Sequence, residues 1–295
     1  MLFCPRLNLW RKSRGTKRCL SSSSKAAAAT TTNAIVELRK MQFYPAGTSI
    51  YTQSINDAGP LLQKHLPLAF AGLPETGAIE LDTAVHLYYY GDGHADRLAK
   101  QAAMALDLNM MQYVGDVEAC LLRQSSEIYV EASIVKDFDE ITGLKYWPSL
   151  EANNDRSGDN NVDNSGSTRS SSAIVELRKY QLRLGYDTVP KFLSFYSEAL
   201  PYKLKALGTH PTTQLVTILN AEIGSLNTVY EVWKHGGKIP GHEDSTDYCG
   251  YSALEMSRQA SRGVMEWRNG IAQIAELAVT FDTTILKPME CSPLQ

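Results

Sequence analysis

Cysteine is scarce in this chain. Of 295 residues only Cys4, Cys19, Cys120, Cys249 and Cys291 are cysteines, and no two of them form a CxxC pair. Neither a disulfide framework nor a zinc site follows from such spacing. No apolar run approaches the roughly 20 residues of a membrane span. There is no P-loop, GxGxxG, GxSxG elbow, HExxH or EF-hand loop, which excludes the well-marked nucleotide, hydrolase and metal families but not every enzyme. No catalytic residue, cofactor or metal is therefore predicted.

Acid is missing from the first 36 residues. They carry Arg6, Arg11, Lys12, Arg14, Lys17, Arg18 and Lys25, and the first carboxylate is Glu37. An Arg-rich, Ser-rich, acid-free start reads as an organelle transit peptide over residues 1–33, and Arg18-Cys19-Leu20-Ser21 suits a mitochondrial processing site. The expected location is mitochondrial, in the matrix or peripheral to a membrane; a basic tail binding nucleic acid or lipid is the alternative. Without residues 1–36 the formal charge moves from −3 to −10. So acidic a protein is a poor partner for nucleic acid.

What the chain does contain is a repeat. Ala34–Lys40 and Ala173–Lys179 both read AIVELRK, at an offset of 139. The copies align again at Leu81-Asp82-Thr83 and Leu226-Asn227-Thr228, and at Leu87-Tyr88 and Val232-Trp233. Such an internal repeat marks duplication. Residues 34–147 form a diverged first copy and 173–290 a second. Between them, residues 148–172 have no aromatic and little to bury, which predicts a disordered linker. A flexible chain of that length spans roughly 25–30 Å, which leaves pairing within one chain or between two chains open.

The second copy reads β-α-β-β-α-β. Ile174–Leu182 alternates as a strand. Val189, Phe192, Tyr196, Leu200 and Leu207 follow a helical period that Gly208 ends. Leu215–Asn220 and Thr228–Lys234 are strands, Ser252 to Ala278 one helix or two in series, and Phe281–Leu286 the last strand. In the first copy the terminal strand falls at Ser126–Val130. The predicted class is α+β, two tandem ferredoxin-like repeats. Such sheets are covered by helices on one face, so the other face must be buried against a second sheet.

The string ELRKYQL, then Gly185, PKFL, EIGSLNTVYEVW (Glu222–Trp233), Ser257, Arg258 and Trp267, and FDTTILKP ending in SPLQ closely resembles the NIPSNAP family. It covers residues 173–290 well and 34–132 loosely. Copy one departs from the pattern with Gly77-Ala78-Ile79 in place of Glu-Ile-Gly, and copy two carries an extra loop, Lys238–Gly250. The resemblance implies sheets packed as a dimeric α/β barrel and mitochondrial residence. It implies a non-catalytic binding or scaffold protein, linked to mitochondrial quality control, partner recruitment or vesicle traffic. The alternative is a small-ligand carrier or cofactor-independent enzyme using a cavity between the two sheets. Expected partners are mitochondrial proteins, with a small ligand and a homo-oligomer as further options.

Period two places Glu176, Arg178 and Tyr180 on one face of their strand and Val175 and Leu177 on the other. With the apolar face given to the helices, Glu176, Arg178, Tyr180, Glu231 and Trp233 would surround a space between the sheets. Glu37, Arg39, His86 and Tyr88 form the equivalent set in copy one. Arg178 would suit an anion, Trp233 and Tyr180 a flat apolar group, and Glu231 or His86 proton transfer. The competing reading is that Glu176 and Arg178 are buried ion pairs fixing the sheet register. His235, His242, Glu243, Asp244 and Asp247, and His94 beside Asp92 and Asp96, match no standard metal spacing, and His86 as a haem ligand has Glu231 as its counterpart. Trp147 and Leu150 resemble an aromatic-x-x-aliphatic motif read by strand addition, or a latch on the end of copy one.

Overall fold

The two AIVELRK strings occupy equivalent places. The computed structural model describes residues 34–141, 143–144, 172–237 and 248–294. Residues 1–33, Trp147, Leu150, His242, Glu243, Asp244, Asp247 and nearly all of the expected linker lie outside them. The first half runs β1 (Ile35–Phe43), α1 (Gly47–Asp57), α2 (Gly59–His65), β2 (Leu68–Gly77), β3 (Thr83–Tyr90), α3 (Gly93–Met104), α4 (Leu108–Cys120) and β4 (Leu121–Glu131). The second runs β5 (Ile174–Leu182), α5 (Thr188–Leu204), β6 (Gln214–Ile223), β7 (Thr228–His235), α6 (Gly250–Arg262), α7 (Met265–Leu277) and β8 (Ala278–Pro288). The long helical segment at 252–278 is thus two helices, broken at Gly263-Val264. β6, β4 and β8 are longer than the alternation suggested, because their outer ends are exposed and lack it.

All strands are antiparallel and close into one eight-stranded barrel in the order β1-β3-β2-β8-β5-β7-β6-β4. Each half contributes its strands in the same order. The halves join where Gly72–Gly77 of β2 meets Pro288–Thr284 of β8, and where Ile128–Glu131 of β4 meets Ile223–Leu219 of β6. The two halves of one chain therefore pair with each other. Residues after β8 cross back: Met289 N–H donates to Ala71 O, Ser292 Oγ accepts from Ala71 N–H, and Leu294 joins the barrel core.

The barrel interior corrects one expectation. Val36, Leu38, Val85, Val175, Leu177 and Val232 point inward and pack together. Glu37, Arg39, Glu176, Arg178 and Tyr180 consequently point outward, toward the helices, and no cavity between two sheets is formed by them. An eight-stranded barrel has an interior just wide enough for side chains to fill, so apolar residues take it and the one charge reaching in from β1, Lys40, is held by the Tyr230 hydroxyl. In the layer under the helices they meet partners from α3 and α6. α7 lies close against α5, because Gly270 presents no side chain: a Cβ there would be 2.3 Å from the Ala199 Cβ.

Candidate functional site

Each half places a carboxylate–guanidinium cluster between sheet and helices, and the two differ in how well they are satisfied. In the first half Glu37 is fully buried and all its contacts are favourable. One oxygen takes Arg39 Nη2 at 2.9 Å and Ser126 Oγ at 2.7 Å; the other takes Arg97 Nε at 2.8 Å and Tyr90 Oη at 3.3 Å. Burial raises its pKa, but the Arg97 and Arg39 charges outweigh that and hold it at about 2. His86 lies between Tyr51 Oη, 2.5 Å from Nε2, and Tyr88 Oη, 2.7 Å from Nδ1. Burial, with Arg39 nearby, pushes its pKa down to about 3, so the imidazole is neutral and donates one of these bonds while accepting the other. Phe43 stacks on Tyr51 at 4.3 Å, and these rings with Tyr88, Tyr90 and Tyr113 fill the space under α1 and α4.

Glu37 also sets an acid limit. The unfolded carboxyl binds a proton near pH 4.5 and the folded one near 2, so its contribution is complete above 4.5 and lost as pH falls toward 2. About 3 kcal/mol is expected to disappear across that window, and Glu37→Gln should flatten it in urea midpoints measured between pH 5 and 2.

In the second half the same strand register gives a different result. Arg39 faces His86 across β1 and β3, whereas Arg178 faces Glu231 across β5 and β7. Glu176 accepts from Arg178 Nη2 at 2.8 Å, Arg258 Nη2 at 2.6 Å and His235 Nε2 at 3.2 Å. Against the cost of burial, His235 and Arg178 hold its carboxyl far below the usual range. Glu231 takes Trp233 Nε1 at 2.6 Å on one oxygen, with Arg178 Nη1 at 3.5 Å. Its other oxygen, the Arg178 Nε and the Tyr196 hydroxyl are buried without a hydrogen-bond partner. Burial, together with the charge of the nearby Glu231, holds the Tyr196 phenol above its usual range, and no hydrogen bond of ordinary geometry joins the two.

Lys203 completes this cluster, and the sequence reading missed it. Its ammonium lies 3.8 Å from the Trp233 ring centre and 4.8 Å from that of Trp267, and the residue is 4 % exposed. Burial, then repulsion from Arg178, lowers its pKa to about 7. The signal was available: Phe192, Tyr196, Ala199, Leu200 and Lys203 share one stripe of α5, so a lysine fell on the buried face. Tyr51, Arg97 and His235 were also missed as network members, since only the fold brings them to Glu37, His86 and Glu176.

Beside this second cluster lies a cavity of about 700 Å³ between β5, β8, α6 and α7. Arg178, Tyr180 and Glu176 line it from the sheet, Arg258 and Arg262 from α6, and Trp267, Ile271 and Ile274 from α7. Of the residues expected to share a cavity, Glu176, Arg178 and Tyr180 line this one. Glu231 and Trp233 are packed behind it, and Glu37, Arg39, His86 and Tyr88 belong to the cluster of the other half. The Glu–Arg pairs run along one strand and outward to a helix, so they do not bridge sheet to sheet. Among the described residues no group of three or more His, Cys, Asp or Glu is placed to hold a metal, and no helix is long and apolar enough to cross a membrane.

This arrangement defines an α/β protein built on a closed antiparallel barrel with helices outside. No protein-family model matches the chain, and no curated protein does. Among solved structures, a Fusobacterium nucleatum protein described as "putative monooxygenase" is similar over 88% of this chain and 94% of its own, at 8% identity and TM-score 0.54, a likeness of fold. Also similar are a NIPSNAP family protein of Agrobacterium tumefaciens (22% identity, 42% of this chain, 91% of that one, TM-score 0.33) and a NIPSNAP-like domain protein of Burkholderia xenovorans (24%, 35%, 88%, 0.31).

Proposed function

We propose that this chain is a NIPSNAP-type protein of tandem ferredoxin-like repeats whose second half binds a small organic molecule under its helices, while the first half is the sealed counterpart that completes the barrel. The carrying observation is the contrast between the halves. The Tyr51–His86–Tyr88 chain satisfies its polar groups. At the equivalent register the second half leaves Glu231 and Arg178 atoms unpartnered and a lysine buried, next to an open cavity. Well-formed cavities of this size with a few convergent polar groups are the ordinary form of a small-molecule site, and unsatisfied buried groups concentrate at functional positions.

Family membership rests on the strings ELRKYQL and EIGSLNTVYEVW, and mitochondrial residence on the acid-free composition of residues 1–33. Recruitment of protein partners through Trp147 and Leu150 remains part of the same proposal. Native mass spectrometry of the protein purified from its own cells is the test. A discrete mass adduct is expected on the wild type and none on Ala275→Trp, which would place an indole in the cavity from the exposed lip of α7 that Ala275 forms. Identical bare masses for both would remove the ligand site and return the protein to a purely scaffolding role.

A further inference from the structure

Given that the cavity is a ligand site, its wall specifies the ligand's chemistry. Three guanidinium groups, Arg178, Arg258 and Arg262, face it against one carboxylate, Glu176. That carboxylate is already saturated by Arg178, Arg258 and His235. Among the described residues no acid lies within ion-pair distance of Arg262, and Arg258, four residues before it on α6, keeps its side chain 42% exposed while bonded to Glu176. The rim of the cavity is therefore left with uncompensated positive charge. The rest is apolar. Trp267, Ile271 and Ile274 stand on one face of α7, opposite Tyr180 and Phe281, whose rings lie 4.6 Å apart. Phe281 is 54% exposed where the cavity opens along β8.

We propose that the occupant is an organic anion. Its acidic head is held at the rim by Arg262 and Arg258, and its flat or aliphatic body lies between α7 and the Tyr180–Phe281 pair. Guanidinium groups bind carboxylates and phosphates by charge-assisted hydrogen bonds that strengthen as water is excluded. The apolar body would contribute in proportion to the area it removes from water. A neutral molecule of the same shape would fill the cavity but leave the rim charges unanswered.

A matched pair of fluorescent probes separates this from the underlying reading. 8-Anilinonaphthalene-1-sulfonate is an anion, and N-phenyl-1-naphthylamine is its neutral counterpart. The full chain is expected to bind the anion about tenfold more tightly at low salt, with the gap shrinking as salt screens the rim. Arg262→Gln, at an exposed position, should weaken the anion about fivefold and leave the neutral probe unchanged. Ala275→Trp, or Ala275→Leu should the larger residue lower the Tm, should weaken both. Equal affinity for the two probes, or an anion affinity untouched by Arg262→Gln, overturns the anion assignment while the cavity stands. Binding of neither probe, or binding of both that filling Ala275 does not alter, overturns the cavity itself.

Discussion

Lys203→Met is expected to make the protein more stable, by about 1–4 kcal/mol at pH 6, the range for replacing a buried charge with a hydrophobic group of similar volume. The ammonium is held between two indoles at 3.8 and 4.8 Å, which is favourable, but its pKa has fallen to about 7, so desolvation wins. The unfolded lysine keeps its proton up to about pH 10.5 and the folded one only to about 7. Between those values the unfolded state binds more protons, and stability must rise with pH. Urea unfolding of the wild type should therefore show stability climbing from pH 7 toward 10, and Lys203→Met should abolish that climb. A variant less stable than wild type at both ends would show that the cation is a structural strut.

Glu176→Ala should have the opposite and larger effect, a loss of about 3–5 kcal/mol. Glu176 has no exposure and is the one carboxylate that Arg178, Arg258 and His235 all bond. Its removal leaves the Arg178 guanidinium buried with only Glu231 at 3.5 Å, and it breaks the Arg258 tie between α6 and the sheet. The midpoint of urea unfolding at pH 7 reads this directly. A loss below about 1 kcal/mol would mean that water enters the cavity and replaces the carboxylate as partner. Glu176→Gln should be intermediate, since it keeps an acceptor but not the charge.

Much of the scaffold was legible before any coordinates. The alternation of Ile174–Leu182 placed β5 at its observed bounds, and AIVELRK located β1. Glu176, Arg178 and Tyr180 do share one face, but the space they line lies under the helices instead of between two sheets. Which way that face points was not legible. A period of two distinguishes two faces of a strand without naming either as inside, and the apolar face was assigned to the helices when the barrel needed it. Lys203 escaped for a related reason: a lysine on an apolar stripe is read as a flaw in the stripe until two tryptophans from β7 and α7 are seen around it.

The sequence by itself determined the two matching AIVELRK strands, the strand and helix order of the second half, and the segregation of Glu and Arg onto one side of β1 and β5, because these depend on local periodicity and on identity between two strings. Tertiary structure alone decided that the two halves close into a single barrel, that apolar residues fill it, and that the charged side faces the helices. It also decided the difference between the halves. His86 and Glu231 hold the same register position, yet one is bonded on both ring nitrogens by Tyr51 and Tyr88, while the other is buried behind the cavity with one oxygen unpartnered. That difference comes from side chains far apart in the chain competing for the same space, which no local pattern records.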